Sequence, residues 1–137
     1  MTHSELIQKA QEALTHAYAP YSRYRVAAAL LTADGHVYTG VNIENASFGA
    51  TICAERVAVF KAVSDGRRDF KTLALVTGQG DFPTPCGMCR QVLVEFGKPE
   101  MEIVLHNDEK TAVYRLEELL PLSFTGTNLA EGVSNAL

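Results

Sequence analysis

The chain has 137 residues, of which 47% are hydrophobic and 20% are charged. This length and composition are typical of one globular domain with an apolar core. We therefore expect residues 1–137 to form a single domain whose last segment, 126–137, is a loosely ordered tail. The net charge of −4 argues against nucleic acid as a partner. The longest aliphatic run, residues 26–31, is too short to cross a bilayer, so we expect no membrane partner.

The first third of the chain predicts a helix followed by a β-hairpin. Apolar residues recur at helical spacing over residues 3–18, and Thr2 and Glu5 stand at the positions of a capping box. A proline follows and ends the helix, because it disfavours helical geometry in the residue before it. Two apolar runs joined by an Asp-Gly pair then predict strands over 24–32 and 36–44.

The central part predicts a second helix over residues 54–63 that is apolar almost all round. A helix of this kind is buried on most sides. A chain of this size can cover one face with its own sheet, and we therefore expect the other face to lie in a subunit interface. A strand over 72–77, a loop over 78–85 and a helix over 86–96 follow.

The last part predicts strands over 103–105 and 111–114 and a short helix over 116–120 that ends at Pro121. The complete order, αββαβαββα, is typical of a mixed five-stranded sheet with helices packed on it. We therefore predict an α/β fold of three layers, α/β/α, in which the sheet is sandwiched by helices.

All three cysteines of the chain lie in two short segments, Cys53-Ala54-Glu55 and Pro85-Cys86-Gly87-Met88-Cys89. Residues 1–5 have neither the cationic start nor the apolar stretch of a signal peptide. We therefore expect a cytoplasmic protein, in which thiols stay reduced. An odd number of cysteines in that compartment favours metal binding or catalysis over disulfides.

The two segments predict a zinc site made of Cys53, Cys86 and Cys89. Zinc prefers Cys and His ligands in tetrahedral geometry, and catalytic sites keep one position open for water. Both segments fall at predicted helix starts, where partial positive charge stabilises thiolates.

Three thiolates leave a zinc centre with a net negative charge, which weakens its ability to acidify bound water. Arg56 stands three residues after Cys53, on the same side of the helix, and is our candidate for charge compensation at the zinc. Arg90 is a weaker candidate for the same task. Glu55, beside a metal ligand, is the candidate general base.

The arrangement Cys-x-Glu followed by Pro-Cys-x-x-Cys resembles the signature of zinc-dependent nucleobase deaminases. Further segments occur in the order seen in small homotetrameric cytidine deaminases. They are Ala19-Pro20-Tyr21-Ser22, Asn42-Ile43-Glu44-Asn45-Ala46, Cys53-Ala54-Glu55-Arg56, Pro85-Cys86-Gly87-Met88-Cys89-Arg90-Gln91 and Glu118-Leu119-Leu120-Pro121. The resemblance covers most of residues 5–125.

The resemblance implies hydrolytic deamination of cytidine and 2′-deoxycytidine to the corresponding uridines, with release of ammonia, in pyrimidine salvage. It implies one Zn²⁺ per subunit, held by the three cysteines, and attack of zinc hydroxide on C4 of the cytosine ring with Glu55 as the proton shuttle. It also implies a homotetramer with active sites near the subunit interfaces. The implied substrate contacts are Asn42 and Glu44 to the ribose 3′-hydroxyl, Tyr24 and Phe124 to the base and ribose, and the Ala54 backbone to the pyrimidine edge.

Three positions depart from the family pattern. Tyr24 replaces the usual phenylalanine and adds a hydroxyl near the base. Ala27 replaces the usual glycine of the first strand, which a regular strand tolerates. Phe48 stands where many relatives carry tyrosine, whose hydroxyl can reach a neighbouring subunit's ligand, so the resemblance does not carry over one inter-subunit contact to the 5′-hydroxyl.

Three other functions compete with this one. A thiol–disulfide enzyme would explain Cys86 and Cys89 but neither Cys53 nor Glu55. A structural zinc module would need a fourth ligand, and its candidates have no zinc-finger spacing: His3, His16, His36 and His106. Another deaminase could act on RNA, free bases or a nucleoside antibiotic, but the net negative charge disfavours RNA.

Overall fold

A mixed five-stranded sheet forms the centre of the molecule. The structure, a computed structural model, describes residues 1–129. The strands are β1 (Val26–Thr32), β2 (Val37–Val41), β3 (Phe70–Thr77), β4 (Gly97–His106) and β5 (Thr111–Arg115). They lie in the order β2-β1-β3-β4-β5. β3 and β4 are parallel, and the other neighbouring pairs are antiparallel.

Helices cover both faces of this sheet. They are α1 (His3–Ala13), α2 (Ala54–Ser64), α3 (Gly87–Phe96) and α4 (Leu116–Leu119). One apolar cluster joins α1 to the sheet, and a second joins the other three helices to the opposite face. The three-layer α/β/α prediction is therefore confirmed.

β1 is an inner strand of the sheet, between β2 and β3, and is buried on both faces. Ala27 and Ala29 belong to the cluster under α1, whereas Ala28 and Leu30 belong to the cluster on the other face. This explains why its sequence does not alternate between apolar and polar residues. Ala27 is fully buried in a regular, doubly paired part of the strand.

The first helix keeps its predicted start but ends early. Thr2 and Glu5 form the expected capping box. The α-helix stops at Ala13, a 3₁₀ turn follows over Leu14–His16, and Tyr18 pairs with Ile43 in an isolated bridge. The prediction of helix to residue 18 was therefore wrong at its end.

Several strand boundaries also differ from the prediction. β1 begins at Val26 and β2 ends at Val41, so Tyr24, Asn42 and Glu44 lie outside the regular strands. β4 is longer than residues 103–105, because it starts directly after α3. The extra pairing reaches back to Phe70 across an irregularity in the β3–β4 register.

α2 is buried on one side and open on the other. Ala58, Val59 and Ala62 are fully buried, whereas the Phe60 side chain is 45% exposed. The subunit interface expected for this helix stays a prediction. The expected tail, residues 126–137, lies mostly outside the described residues, and of it Gly126–Asn128 forms a 3₁₀ turn. Within residues 1–129, each helix is too short or too polar to span a membrane.

Candidate active site

The three thiols converge at the neighbouring ends of α2 and α3. The Cys86 sulfur lies 3.8 Å from that of Cys53 and 3.5 Å from that of Cys89. All three sulfurs lie within 4.8 Å of one another. A tetrahedral zinc ion with Zn–S distances of about 2.3 Å requires sulfurs about 3.8 Å apart. The three thiols are therefore positioned to bind one metal ion.

Helix starts position these ligands. Cys53 is the N-cap residue of α2, and Cys86 is the N-cap residue of α3. Cys89 lies in the first turn of α3 and is fully buried. The partial positive charge of a helix start favours the ionised form of a thiol that lies there.

Close packing sets the position of α2 on the sheet. A Cβ atom at Gly40 of β2 would lie 2.5 Å from both the Ala54 carbonyl oxygen and the Ala58 nitrogen. These atoms belong to the first turns of α2, and backbone atoms cannot move aside as a flexible side chain can. Gly40 therefore allows the helix that carries Glu55 to rest directly on the strand.

Arg56 contacts the thiol cluster as the sequence predicts. Its Nη2 donates to the Cys53 sulfur at 3.5 Å. Its buried Nε has no hydrogen-bonding partner among the described residues. A buried, unpartnered donor on a guanidinium next to the sulfurs suits a centre that gains negative charge when its thiols ionise.

The thiols differ in how readily they ionise. Hydrogen bonds from Cys89, and to a smaller extent from Arg56, lower the pKa of Cys53 to about 5. The bond between Cys89 and Cys53, together with burial, raises the pKa of Cys89. Cys53 is therefore the first of this hydrogen-bonded pair to become a thiolate.

Arg90 does not contact the sulfurs in the way expected of a charge compensator. Its Nε donates to the Pro85 carbonyl oxygen and its Nη1 to the Leu119 carbonyl oxygen, each at 2.7 Å. The side chain binds main-chain acceptors on two different segments, so its task is distinct from that of Arg56.

Glu55 is buried at the first turn of α2, next to the thiols. Its side chain is among the few buried charged groups, at 5% exposed. Burial, with a smaller contribution from the nearby Cys53 thiolate, raises the pKa of Glu55 to about 7. A carboxyl group with such a pKa can both take up and release a proton near neutral pH.

Glu44 and Asn42 are fixed in place by the chain itself. The Tyr21 and Ser22 amides donate to Glu44 Oε1 at 2.9 and 3.0 Å, and the Ser22 hydroxyl donates to Oε2. These bonds, the hydroxyl bond first, lower the pKa of Glu44. Asn42 donates from Nδ2 to the Tyr24 carbonyl at 2.7 Å and accepts from the Val26 amide at 3.0 Å.

These groups share one pocket of about 280 Å³. The predicted site residues in its wall are Tyr24, Asn42, Glu44, Cys53, Ala54, Glu55 and Cys86. Burial of Tyr24 raises the pKa of its hydroxyl. Phe124 is not among the lining residues, and its side chain is 58% exposed. Of the predicted substrate contacts, a single chain therefore places all but Phe124 in this pocket.

Other lining residues were missed from the sequence, namely Ser22, Val26, Thr51, Ile52, Pro83 and Thr84. Pro83 and Thr84 directly precede the second cysteine segment, so their nearness along the chain was an available signal. Ser22 contacts a carboxylate 22 residues away, and no local pattern indicates that contact.

The family model for the cytidine and deoxycytidylate deaminase zinc-binding region matches residues 1–105. A cytidine deaminase from Sporosarcina psychrophila is 46% identical over 92% of this chain and 93% of its own length. A blasticidin-S deaminase from Bacillus cereus is 33% identical over 88% of this chain and 91% of its own. The crystal structure of a cytidine deaminase from Burkholderia pseudomallei superposes with a TM-score of 0.86, at 46% identity, covering 90% of this chain and all of that one. The chain belongs to the cytidine and deoxycytidylate deaminase family.

Proposed function

We propose that this chain hydrolytically deaminates cytidine and 2′-deoxycytidine to the corresponding uridines, releasing ammonia, as a step of pyrimidine salvage. In this proposal Cys53, Cys86 and Cys89 are the ligands of one zinc ion, and Glu55 is the proton shuttle. The observation that carries it is the buried Glu55 carboxyl, with a pKa of about 7, in the same pocket as the converging thiols.

Lewis-acid activation of water is the chemistry that a bound zinc ion supplies at such a site. Glu55 can accept a first proton from the attacking water on its carboxylate and pass it to N3 of the pyrimidine ring. Once the water oxygen is bonded to C4, Glu55 can accept the remaining proton of that hydroxyl and pass it to the amino group. The C4–N bond then breaks, ammonia leaves, and the C4 oxygen becomes the carbonyl of the product. A carboxyl group suits both directions of transfer when its pKa lies near the working pH.

The ribose contacts follow from hydrogen-bonding capacity. Glu44 already accepts three bonds, and a carboxylate offers about four acceptor sites. One N–H of the Asn42 side-chain amide donates to the Tyr24 carbonyl, so the second N–H can donate to a ligand. A sugar hydroxyl can therefore donate to Glu44 and accept from Asn42. Tyr24 and the Ala54 backbone are the proposed contacts to the base.

The substrate proposal is tested by a panel of cytidine, 2′-deoxycytidine, cytosine, adenosine and blasticidin S. We expect turnover of the first two, because the pocket contains polar groups for a ribose and a free base would leave them unpaired. Preferential turnover of blasticidin S would contradict the proposal. A purified protein with no bound metal and a titratable Cys86–Cys89 disulfide would favour a thiol–disulfide enzyme instead.

The proton-shuttle role is tested by Glu55→Gln, which keeps the shape of the side chain but cannot shuttle protons. We expect kcat to fall by roughly 100- to 10,000-fold while the zinc content stays at one per chain. Glu12→Gln, at an exposed position of α1, is the matched control and should leave kcat unchanged. Full activity of Glu55→Gln would remove the residue from the mechanism and favour a structural zinc module.

We also propose a single-domain, cytoplasmic subunit that assembles into a homotetramer. An apolar groove of about 620 Å³ runs along the open side of α2, and Phe60 lines it. Phe60→Glu should lower the mass in solution, whereas Val113→Glu, at an equally exposed position, should not. A monomeric mass of the unmodified protein at micromolar concentration would contradict this assembly.

We further propose that, in this assembly, the Phe124 side chain contacts the substrate pocket of a neighbouring subunit. Phe48 is 75% exposed and lies beside Glu44 and Ser22 in an open groove, so this edge of the pocket is accessible to another chain. Phe124→Ala should raise KM. Mixed tetramers of Phe124→Ala and Glu55→Gln chains should regain activity, because a chain with an intact Glu55 then receives Phe124 from its neighbour. Failure to regain activity would contradict the contact.

A further inference from the structure

We propose that Arg90 is a positioning residue of the metal centre, whose guanidinium joins the Pro85 carbonyl to the end of α4 and so holds Cys86 in place for metal binding. The two bonds are those from Nε to the Pro85 oxygen and from Nη1 to the Leu119 oxygen, each 2.7 Å long. The inference goes beyond the proposed function because it concerns metal retention, whichever nucleoside is the substrate.

Cys86 is the metal ligand that most needs such support. It precedes α3, is exposed, and makes no side-chain capping bond. The residues between Thr77 and Gly87 form neither helix nor strand. Cys89, by contrast, is buried on α3, and packing of that helix positions it. The place of the Cys86 sulfur therefore depends on main-chain bonds around it.

Arg90 supplies those bonds on both sides of Cys86. Its guanidinium binds the carbonyl of Pro85, the residue before the ligand. Its own backbone N–H donates to the carbonyl of Cys86 at 3.0 Å. The Cα atom of Cys86 thus lies between two main-chain carbonyl groups, that of Pro85 and its own, and both accept a hydrogen bond from Arg90.

The second bond of the guanidinium anchors this arrangement to another element. Leu119 is the last residue of α4, so its carbonyl oxygen lacks an intrahelical partner. Arginine presents several donors in a rigid, planar group, and lysine presents one flexible ammonium. Arginine therefore suits the task of holding two acceptors from separate segments at fixed positions.

Preorganisation of this kind affects metal affinity. Three ionised sulfurs within 4.8 Å repel one another before a cation arrives, and a ligand on an unsupported loop can move away. Partners that orient metal ligands typically contribute about 10- to 100-fold in metal affinity. Loss of the guanidinium should therefore weaken metal binding by an amount within that range.

The test uses the zinc-loaded enzyme with Arg90→Met, which keeps an apolar stem and removes the donors, and Arg90→Lys. Zinc transfer to a chromogenic chelator gives the affinity and the release rate. We expect Arg90→Met to bind zinc at least about 10-fold more weakly and Arg90→Lys to recover part of the loss. Arg68→Met, at an exposed position, should retain the unmodified affinity.

Thermal unfolding of the metal-free proteins separates positioning from general stability. Unchanged zinc affinity in Arg90→Met would overturn the proposal. So would a lower affinity in both Arg90 variants that is fully accounted for by their destabilisation without metal. If Arg90→Met does not fold, the test rests on Arg90→Lys. A zinc affinity that falls by more than the loss of metal-free stability accounts for would support the proposal, and any other result would overturn it. Because the readout is metal transfer, it is independent of whether cytidine is the substrate.

Discussion

The two cysteine segments hold their metal ligands by different physical means. The first, Cys53–Arg56, lies at the start of a helix that rests on the sheet, with Ala54 fully buried against Gly40. The second, Pro85–Arg90, begins in an irregular loop, and its first ligand, Cys86, is exposed. Close packing fixes the first segment, whereas hydrogen bonds from Arg90 to main-chain carbonyls hold the exposed ligand of the second.

This difference matches the chemistry that each segment is proposed to perform. A general base needs a defined position and a pKa near neutrality, and burial provides both for Glu55. A carboxyl group on the exposed segment would stay hydrated and keep an ordinary pKa. A metal ligand needs only a defined position, which hydrogen bonds can provide at the surface.

Of the three substitutions that test this comparison, Gly40→Ala has the largest expected effect, because it disturbs the packing of the first segment on the sheet. The new methyl group would overlap backbone atoms of α2, so the helix must shift away from the strand together with Glu55. We expect the free energy of unfolding to fall by about 1–3 kcal/mol and kcat to fall with it, as measured by denaturant titration and steady-state kinetics. Gly49→Ala, which meets open space, is the control. Normal stability of Gly40→Ala would refute the packing argument.

A smaller effect is expected from Arg56→Gln, which removes charge from the packed segment without disturbing its fold. The guanidinium helps to lower the pKa of Cys53 to about 5, so in the metal-free protein this thiol is ionised at neutral pH. The variant should raise that pKa toward the ordinary value of about 8.5 and shift the onset of thiolate absorbance to higher pH. Arg115→Gln, on an exposed ion pair, should leave the titration unchanged. An unaltered titration in Arg56→Gln would show that the cysteines alone set the Cys53 pKa.

The smallest effect is expected from Gly87→Ala, at the first residue of α3 in the second segment. A Cβ atom there meets open space, and alanine is favoured over glycine in a helix by up to about 1 kcal/mol. We expect slightly higher thermal stability and an unchanged zinc content, the opposite of Gly40→Ala. Loss of zinc would mean that this segment is also held by close packing.

Much of the fold was predictable because its signals are local. Helical spacing, the Thr2–Glu5 capping box and the apolar strands depend on residues within a few positions of one another, and the structure confirms them. The same holds for the spacing of Cys86 and Cys89 on one helical turn. The first helix was overextended because Ala17, which is buried beyond its end, continues the apolar pattern in a different conformation.

The sequence by itself determined the order of the elements, the set of candidate metal ligands and the resemblance to cytidine deaminases, which implies the reaction. Only the tertiary structure decided what surrounds those groups. It brought Ser22 into contact with Glu44, α2 with Gly40, and the Arg90 guanidinium with Leu119. These contacts join residues far apart in the chain, and burial, which sets the pKa of Glu55, is a property of the whole packed molecule. Short-range sequence patterns do not contain that information.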